Sequence, residues 1–565
     1  MAGFKIPVGI ENFEIIRNQG YYYIDKTNFI ADLLDKAFSV NLITRPRRFG
    51  KTLMMNMLKN FFDIRKHNRK LFEGLKISEN KEICDTWMNQ WPVLFLSFKD
   101  VSSSTGFDEA YSMLEGTISD LCKEHAYLLD SEKLDVDDKR EFAQLKAQEA
   151  SKADIKRSLL LLTRMLGIYH DKKVILLVDE YDVPLAKADE YGYYNEMLDI
   201  IRSIMGTALK SNDYLMFSVV TGCLRIAKES IFTGTNHFVS NSIDSGEFMA
   251  AFGFTESEVL EILQKAGLEQ KLPEMKRWYN GYRFGDYEMY CPWDVVNHVS
   301  RLLDNSDVHP GNYWKDTSHN NIIRRFIGNE EFHVNENFEN LLSGGSISVK
   351  ITDELTYDFD NSTEDNFWSI LYLTGYLTKV KQDGVSVDTR LRIPNEEVKT
   401  IFADTVVSWF QDTMKEQDRS ELFDAWWNGD EEKITQLVSE ILFDTISYYD
   451  YREDYYHAFI AGLFAGAGYN VSSNQEMGLG RSDISVKDRR NRRAIIIEAK
   501  RSENEVQMEK DCEKALKQIQ DKKYAKAIEK GYKSVMCYGV AFFDKSCLVK
   551  KAAMIKAKEW DRRLT

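Results

Sequence analysis

Near the C-terminus, Asp483 closes the run Gly480-Arg481-Ser482-Asp483 and precedes Ile495-Ile496-Ile497-Glu498-Ala499-Lys500. An acid, an apolar run and an acid-x-lysine triplet are groups that can hydrolyse a phosphodiester. Side chains alternate faces along a strand, so Glu498 and Lys500 should project from one side and Ala499 from the other. Asp483, on the preceding strand, can meet them there. Two carboxylates suit Mg²⁺ or Mn²⁺ as oxygen ligands. Such an ion lowers the pKa of a bound water and polarises a phosphoryl oxygen. Lys500 can orient that water or offset charge on the phosphorus. The plain alternative is a buried strand ending in a surface ion pair.

The elements around these residues narrow the choice. Glu453 and His457 are four apart, on one face of an expected helix. Strand-like runs follow at 469–473, 483–487 and 493–499, then a helical stretch at 506–530 and a strand at 534–543. Helix, three strands, helix, strand resembles the core of the PD-(D/E)XK nuclease superfamily. The resemblance implies that Asp483, Glu498 and Lys500 are its signature, with Asp483 and Glu498 on the metal. It also implies that Glu453 is the extra metal-binding acid some members carry on the first helix. Gln518 matches the glutamine some members carry on the second. His457 stays open between packing and catalysis.

A second constellation lies near the N-terminus. Val40-Asn41-Leu42-Ile43-Thr44 reads as a strand, followed by Arg45-Pro46-Arg47-Arg48-Phe49-Gly50-Lys51-Thr52 and an apolar helix. Strand, loop ending in Gly-Lys-Thr and helix is the P-loop context. Backbone N–H groups at a helix start suit a phosphate. Lys51 would reach the β- and γ-phosphates of ATP, and Thr52 would hold Mg²⁺. Arg45 stands where the motif has its first glycine, which normally allows a tight wrap. Nucleotide binding is therefore expected and hydrolysis is left open.

Lys173-Val174-Ile175-Leu176-Leu177-Val178-Asp179-Glu180 is an apolar strand ending in two acids, suited to a central parallel position. Asp179 would join the Mg²⁺ shell and Glu180 would polarise the attacking water. The strand at 215–220 leads to Thr221-Gly222, where a γ-phosphate sensor would sit. Arg225, Arg47 and Arg48 are rivals for an arginine that reaches the nucleotide. The plain alternative is an α/β domain whose loop is unused.

Further motifs are Tyr22-Tyr23-Ile24-Asp25-Lys26-Thr27, Trp278-Tyr279-Asn280-Gly281-Tyr282-Arg283-Phe284-Gly285, Tyr290-Cys291-Pro292-Trp293 and Ile393-Pro394-Asn395-Glu396. With the arginine-rich loop they resemble, over nearly the whole chain, bacterial AAA-ATPase-like proteins fused to a PD-(D/E)XK nuclease. In that family the arginine-rich loop replaces the first glycine, so Arg45 follows the family pattern. The resemblance implies an α/β architecture: an AAA-like P-loop domain over 1–253, a helical lid over 254–345, a winged-helix-like connector over 346–440 and a nuclease domain over 441–565. Within the connector, a hairpin at 379–391 and a helix at 396–410 suit either a spacer or a DNA- or partner-binding module. The charged stretch 131–165 reads as one inserted helix. A nucleotide-regulated nuclease is the reading this supports. The rival is a signalling or scaffold ATPase, or a nucleotide sensor, whose nuclease-like end only binds a partner.

Composition agrees. The 565 residues are 43% hydrophobic and 12% aromatic, enough for several packed domains. Seven scattered cysteines without a C-x-x-C pair argue against a disulfide framework and against structural zinc, and for a cytoplasmic protein. No apolar run is long enough to span a membrane. The net charge of −15 is unevenly spread. Residues 451–565 hold 24 Lys and Arg against 16 Asp and Glu, a net of +8, which leaves −23 on the remainder. A basic end suits nucleic acid, DNA foremost. Arg481, Lys487, Arg489, Arg490, Arg492 and Arg493 flank the proposed site, or form a basic hairpin tip in solvent. The oligomeric state is left open, a homo-oligomer included.

Overall fold

The computed structural model describes residues 4–36, 38–226, 231–232, 238–244, 247–314, 323, 334–342, 344–352, 355–358, 362–381, 388–402, 404–405, 420–445, 453–477, 480–525, 532–552 and 555–556. The chain forms two compact units. One is Met1–Ser318 with Ser348–Val398, and the other is His319–Ile347 with Lys399–Thr565. The stretch 346–440 is thus divided between them.

The first unit is built on a parallel sheet of β1 (Val40–Thr44), β2 (Val93–Ser97), β3 (Val174–Asp179), β4 (Leu215–Gly222) and β5 (Phe238–Asn241), in the order β2-β3-β4-β1-β5. Every residue of β1 and β3 is buried, and in β3 this goes with the unbroken apolar run Val174–Val178. β4 separates the strand of the Gly-Lys-Thr loop from the strand of the acids, so Thr221 at its end stands between them. The helix Lys51–Phe62 presses Met54, Met57, Leu58, Phe61 and Phe62 into a core shared with Ile43, Ile175, Leu177 and Val219. Each such side chain contributes about 1.5–3 kcal/mol by leaving water. These contacts hold the start of the helix against the sheet's C-terminal edge.

Two expectations about this unit need correction. The charged 131–165 stretch forms two helices, Val136–Ala147 and Lys152–His170, and not one. The first ends at Gln148, with φ of 61°, and Ser151 and Asp154 form a capping box that opens the second. The region from 254 on is not purely helical either. Helices Glu256–Ala266, Leu272–Tyr279 and Pro292–Asp304 are interrupted by an antiparallel hairpin, β6 (Tyr282–Phe284) and β7 (Tyr287–Met289). A small sheet follows, with β8 (Ile347–Val349), β9 (Thr378–Lys379) and β10 (Thr389–Arg392) in the order β8-β10-β9.

The second unit carries a mixed sheet, β11 (Asn470–Met477), β12 (Gly480–Asp488), β13 (Arg493–Arg501), β14 (Ser534–Phe543) and β15 (Ser546–Lys551), in that order, with β16 (Ile555–Lys556) pairing β14. Only β13 and β14 run parallel, and the helix Glu505–Asp521 makes their crossover. The period-two rule divides β13 as expected. Ile495, Ile497 and Ala499 face one core, with Trp426, Tyr456, Phe464 and Tyr538. Ala494 and Ile496 face the other, with Ile519, Tyr524 and Cys537. Glu498 and Lys500 share this second face. All seven cysteines are buried and unbridged. Among the described residues no helix is long and apolar enough to cross a membrane.

Candidate functional site

In the first unit, the loop after β1 turns on two left-handed residues, Arg48 with φ of 71° and Gly50 with φ of 83°. Arg45 is not one of them, so glycine's conformational freedom is not needed at that position. Its guanidinium points into the protein. There Nη1 donates to the carbonyls of Thr44 and Asn241, both at 2.8 Å, and Nη2 to that of Phe248 at 3.2 Å. Phe252 and Phe284 lie on its flanks, 5.3 and 5.5 Å from ring centre to guanidinium. Full burial pushes its pKa down to about 9. Its backbone N–H is also taken, by the carbonyl of Gly222. Arg45 therefore acts as an internal staple for the loop.

The helix begins at Lys51, whose buried ammonium folds back onto the carbonyls of Arg45 and Pro46 at 2.9 and 3.0 Å and lies 3.7 Å from Cys223 Sγ. The Thr221 hydroxyl donates to the carboxylate of Asp179 at 2.5 Å, with the Thr52 hydroxyl close by. Burial pushes the Asp179 carboxyl up, while the two hydroxyls and Lys51 oppose this. Glu180 follows with φ of 54°, a left-handed conformation that costs a side-chain-bearing residue about 1–3 kcal/mol. Burial raises its pKa too, with Lys51 pulling the other way. Lys51, Thr52, Asp179, Glu180 and Thr221 thus converge outside the C-terminal ends of β1, β3 and β4, where parallel sheets place their ligands.

Asp182 and Tyr181 brace this edge. The Asp182 carboxylate accepts from the N–H of Cys223 and of Leu224, both at 2.9 Å, and from the Tyr357 hydroxyl at 3.0 Å. The Tyr181 hydroxyl donates to the Leu224 carbonyl at 2.7 Å. A Cβ on Gly222 would stand 2.6 Å from Asp182 Oδ1, so only glycine fits there. Tyr357 lies 175 residues from Asp182, and no motif spacing connects the two.

The other loop residues take separate places. Pro46 packs on Gly375, Phe49 packs between Tyr282 and Phe284, and the Arg48 guanidinium lies over Trp293. Arg47 is half-buried; burial works against its charge, and Cys223, Tyr357, Tyr376 and Asp182 hold it charged. Arg225 is exposed, over the ring of Phe238 at 5.5 Å.

In the second unit, β12 and β13 bring the predicted acids into contact. Oδ2 of Asp483 accepts from the backbone N–H of Ala499 at 3.0 Å, and Oε2 of Glu498 accepts from that of Asp483 at 3.5 Å. The Lys500 ammonium is 3.7 Å from Glu498 Oε1, and Gln518 donates to that same oxygen from the crossover helix. Glu498 is fully buried. Burial, then Asp483, push its carboxyl up to about 7, against Lys500 and Gln518. Tyr524, buried and bonded to Gln518, completes the cluster and was not found from sequence. Glu453 opens the helix Glu453–Gly466, but its side chain and that of His457 lie outside the described residues.

Three of the arginines near this site in sequence are remote from it along the hairpin, and the side chain of Arg481, two residues from Asp483, lies outside the described residues. Arg489, Arg490 and Arg492 occupy the exposed turn between β12 and β13. That turn is about 20 Å along the strands from Asp483 and Glu498, at roughly 3.3 Å per residue. Arg493 pairs with Asp488 at 2.8 Å and lies 4.2 Å over Trp427, a packing role.

A P-loop fold with paired acids on a separate strand, joined in one chain to a mixed sheet bearing Asp, Glu and Lys, defines a class. The family described as a predicted AAA-ATPase matches residues 7–232, and the PD-(D/E)XK nuclease superfamily matches residues 451–552. The chain joins an AAA-ATPase-like domain to a PD-(D/E)XK nuclease domain. It is also similar, at 27% identity over 505 residues, to a protein of Azotobacter chroococcum mcd 1 described as an uncharacterized protein in the vnfD 5′ region. That similarity covers 86% of this chain and 87% of the other.

Proposed function

We propose that this protein is a metal-dependent nuclease acting on DNA, whose activity responds to ATP held by the P-loop domain. The observation that carries the reading is the meeting of Asp483, Glu498, Lys500 and Gln518 on one face of the second unit's sheet. The donors fit Mg²⁺ or Mn²⁺. Two oxygen-bearing groups lie side by side, and Glu498 is held back from ionising by burial and by Asp483, a strain that a divalent cation relieves. When bound, such an ion supplies a water of lowered pKa and offsets phosphoryl charge. Gln518, itself held by Tyr524, aims Glu498. Asp483 is fixed by the Ala499 N–H, so both carboxylates are preorganised. Lys500 places positive charge beside the reacting phosphate. Glu453, whose side chain lies outside the described residues, is proposed as a further acid of this site from the superfamily pattern alone.

At the nucleotide loop, Lys51 exchanges its loop carbonyls for the phosphates of ATP. Thr52 and Asp179 supply oxygens for Mg²⁺, Glu180 orients water and Thr221 reads the γ-phosphate. Arg47 and Arg225 are the arginines whose charge can still serve the nucleotide, since Arg45 and Arg48 are engaged elsewhere.

The test is cleavage of plasmid and single-stranded DNA by the full chain with Mg²⁺ or Mn²⁺, with and without ATP. Wild type should cut, and Asp483→Ala and Glu498→Ala should not. Wild-type-like cleavage by both variants would refute the nuclease site. Equal rates with and without saturating nucleotide would refute the regulation. Binding of ATP without hydrolysis would make the first unit a sensor.

A further inference from the structure

Three motifs singled out in the sequence take no part in either chemistry, yet the fold gathers them against the nucleotide loop. Asn395 Nδ2 donates to the carbonyl of Asn280 at 2.8 Å. Gly281, with φ of 96°, lies so close to Pro394 that a Cβ would stand 2.1 Å from its carbonyl oxygen. The Phe49 ring meets Tyr282 and Phe284, each at 5.0 Å between centroids. Two fully buried acids lie in this same region, Asp294 and Glu397. Oε1 of Glu397 accepts from the N–H groups of Tyr313 and Trp314, at 2.5 and 2.9 Å. The Tyr313 carbonyl accepts from the Arg48 guanidinium and, at 3.2 Å, from the Trp293 indole. The guanidinium lies 4.8 Å over the Trp293 ring, and Cys291 Sγ is 3.8 Å from the Arg48 carbonyl.

We infer that Asp294 and Glu397 form a proton-sharing pair that positions Arg48, and through it the backbone of the nucleotide loop. Glu397 is a positioning residue. It orients the Tyr313 carbonyl, that carbonyl fixes the Arg48 side chain, and Arg48 is one of the loop's two left-handed residues. A left-handed arginine is strained and persists only where its surroundings hold it.

Proton sharing follows from the burial. Both oxygens of Asp294 and Oε2 of Glu397 find no donor when both acids are ionised. Two adjacent buried carboxylates cannot both stay charged, and a proton between them supplies the missing hydrogen bond. Burial raises both pKa values, that of Glu397 further because Asp294 adds to it. One negative charge then remains beside the positive charge of Arg48. Nucleotide binding, which orders the loop, is thereby linked to the packing of residues 278–314 and 393–398. The linkage is reciprocal: whatever loosens that segment weakens the nucleotide.

This inference rests on residues 45–52 being a nucleotide loop, and the experiment separates the two. ATP affinity with Mg²⁺ is measured by calorimetry on the full chain for wild type, Lys51→Ala, Arg48→Ala, Glu397→Ala, Glu397→Gln and the Arg48→Ala/Glu397→Ala double variant. Lys51→Ala should abolish binding. Arg48→Ala and Glu397→Ala should each weaken it about tenfold, near 1.4 kcal/mol. The double variant should be no weaker than the worse single one, because both act through one contact. Glu397→Gln should bind within about twofold of wild type, because its oxygen still accepts from Tyr313 and Trp314 and its amide donates to Asp294. Unchanged affinity in Arg48→Ala, additive losses, or a Glu397→Gln as weak as Glu397→Ala would each overturn the clamp. Unchanged affinity in Lys51→Ala would overturn the nucleotide loop itself. Should Glu397→Ala fail to fold, hydrogen exchange at amides 47–50 decides. Faster exchange in Arg48→Ala but not in Glu397→Gln supports the clamp, and any other pattern refutes it.

Discussion

Glu498 and Gly539 sit opposite each other across the parallel β13–β14 pair, and the bare backbone of Gly539 lets the crossover helix approach Glu498. A Cβ at Gly539 would stand 2.3 Å from the carbonyl oxygen of Cys512 on that helix. The same helix carries Gln518. Gly539→Ala should therefore push the helix off the sheet and detach Gln518 from Glu498. The expected cost is about 1–3 kcal/mol of stability, as for other overpacked sites. Cleavage should fall well beyond what that loss of folded protein explains. Full specific activity in a folded Gly539→Ala protein would show that the close approach is unimportant.

Tyr524→Phe isolates the support of Gln518 alone. It removes one hydroxyl and keeps the packing, so the melting temperature should move little. Cleavage should drop about tenfold or less, the scale of a lost supporting hydrogen bond of about 1 kcal/mol. A loss as large as that of Glu498→Ala would mean that the hydroxyl meets the substrate directly.

Arg45→Gly restores the residue that other P-loops carry, and here it should do harm. It strips the carbonyls of Thr44, Asn241 and Phe248 of their buried donor and leaves a cavity between Phe252 and Phe284. Loss of a large buried side chain costs about 2–5 kcal/mol. Urea unfolding should show that destabilisation, and ATP affinity should fall with it. An Arg45→Gly variant as stable as wild type, binding ATP equally well, would refute the staple.

Glu180→Gln should bind ATP normally and hydrolyse it about a hundredfold more slowly, because an amide cannot polarise water as a carboxylate does. The φ of 54° should be unaffected, since glutamine and glutamate have the same shape at the backbone. Single-turnover hydrolysis checks this. Equal rates in variant and wild type would remove Glu180 from the chemistry.

His125 gives the first unit a dependence on acid. It is almost fully buried, its Nδ1 meets the Tyr127 hydroxyl at 3.3 Å, and that hydroxyl meets His170 Nε2 at 3.1 Å. Burial, with Arg65, Lys59 and His170, pushes its pKa down to about 3. The unfolded chain takes a proton near 6.5. The folded state refuses it until far lower pH. Stability is therefore complete above pH 6.5 and is lost as pH falls towards 3. Between pH 7.5 and 5.5 the loss should be about 1 kcal/mol. Urea midpoints of wild type and His125→Gln over this range test it, and an equal slope in the variant would sink the assignment.

What the sequence determined by itself was local. β13 alternates Ile495, Ile497 and Ala499 against Ile496, Glu498 and Lys500, and a pleated strand has no other way to place them. The Gly-Lys-Thr step from β1 into its helix, and the acids at the end of β3, follow from the same short-range rules. Tertiary structure decided what depends on residues far apart in the chain. The inward turn of Arg45 required carbonyls near residue 241, and the Asp182 brace required Tyr357. The pairing of Asp294 with Glu397 joins motifs a hundred residues apart, which only a closed core can bring together. Gly539 becomes necessary only because a helix backbone lies against it. Periodicity and turn chemistry act over a few residues. The direction of a buried polar side chain is set by whichever partner the folded core leaves within reach, and no spacing along the chain records that partner.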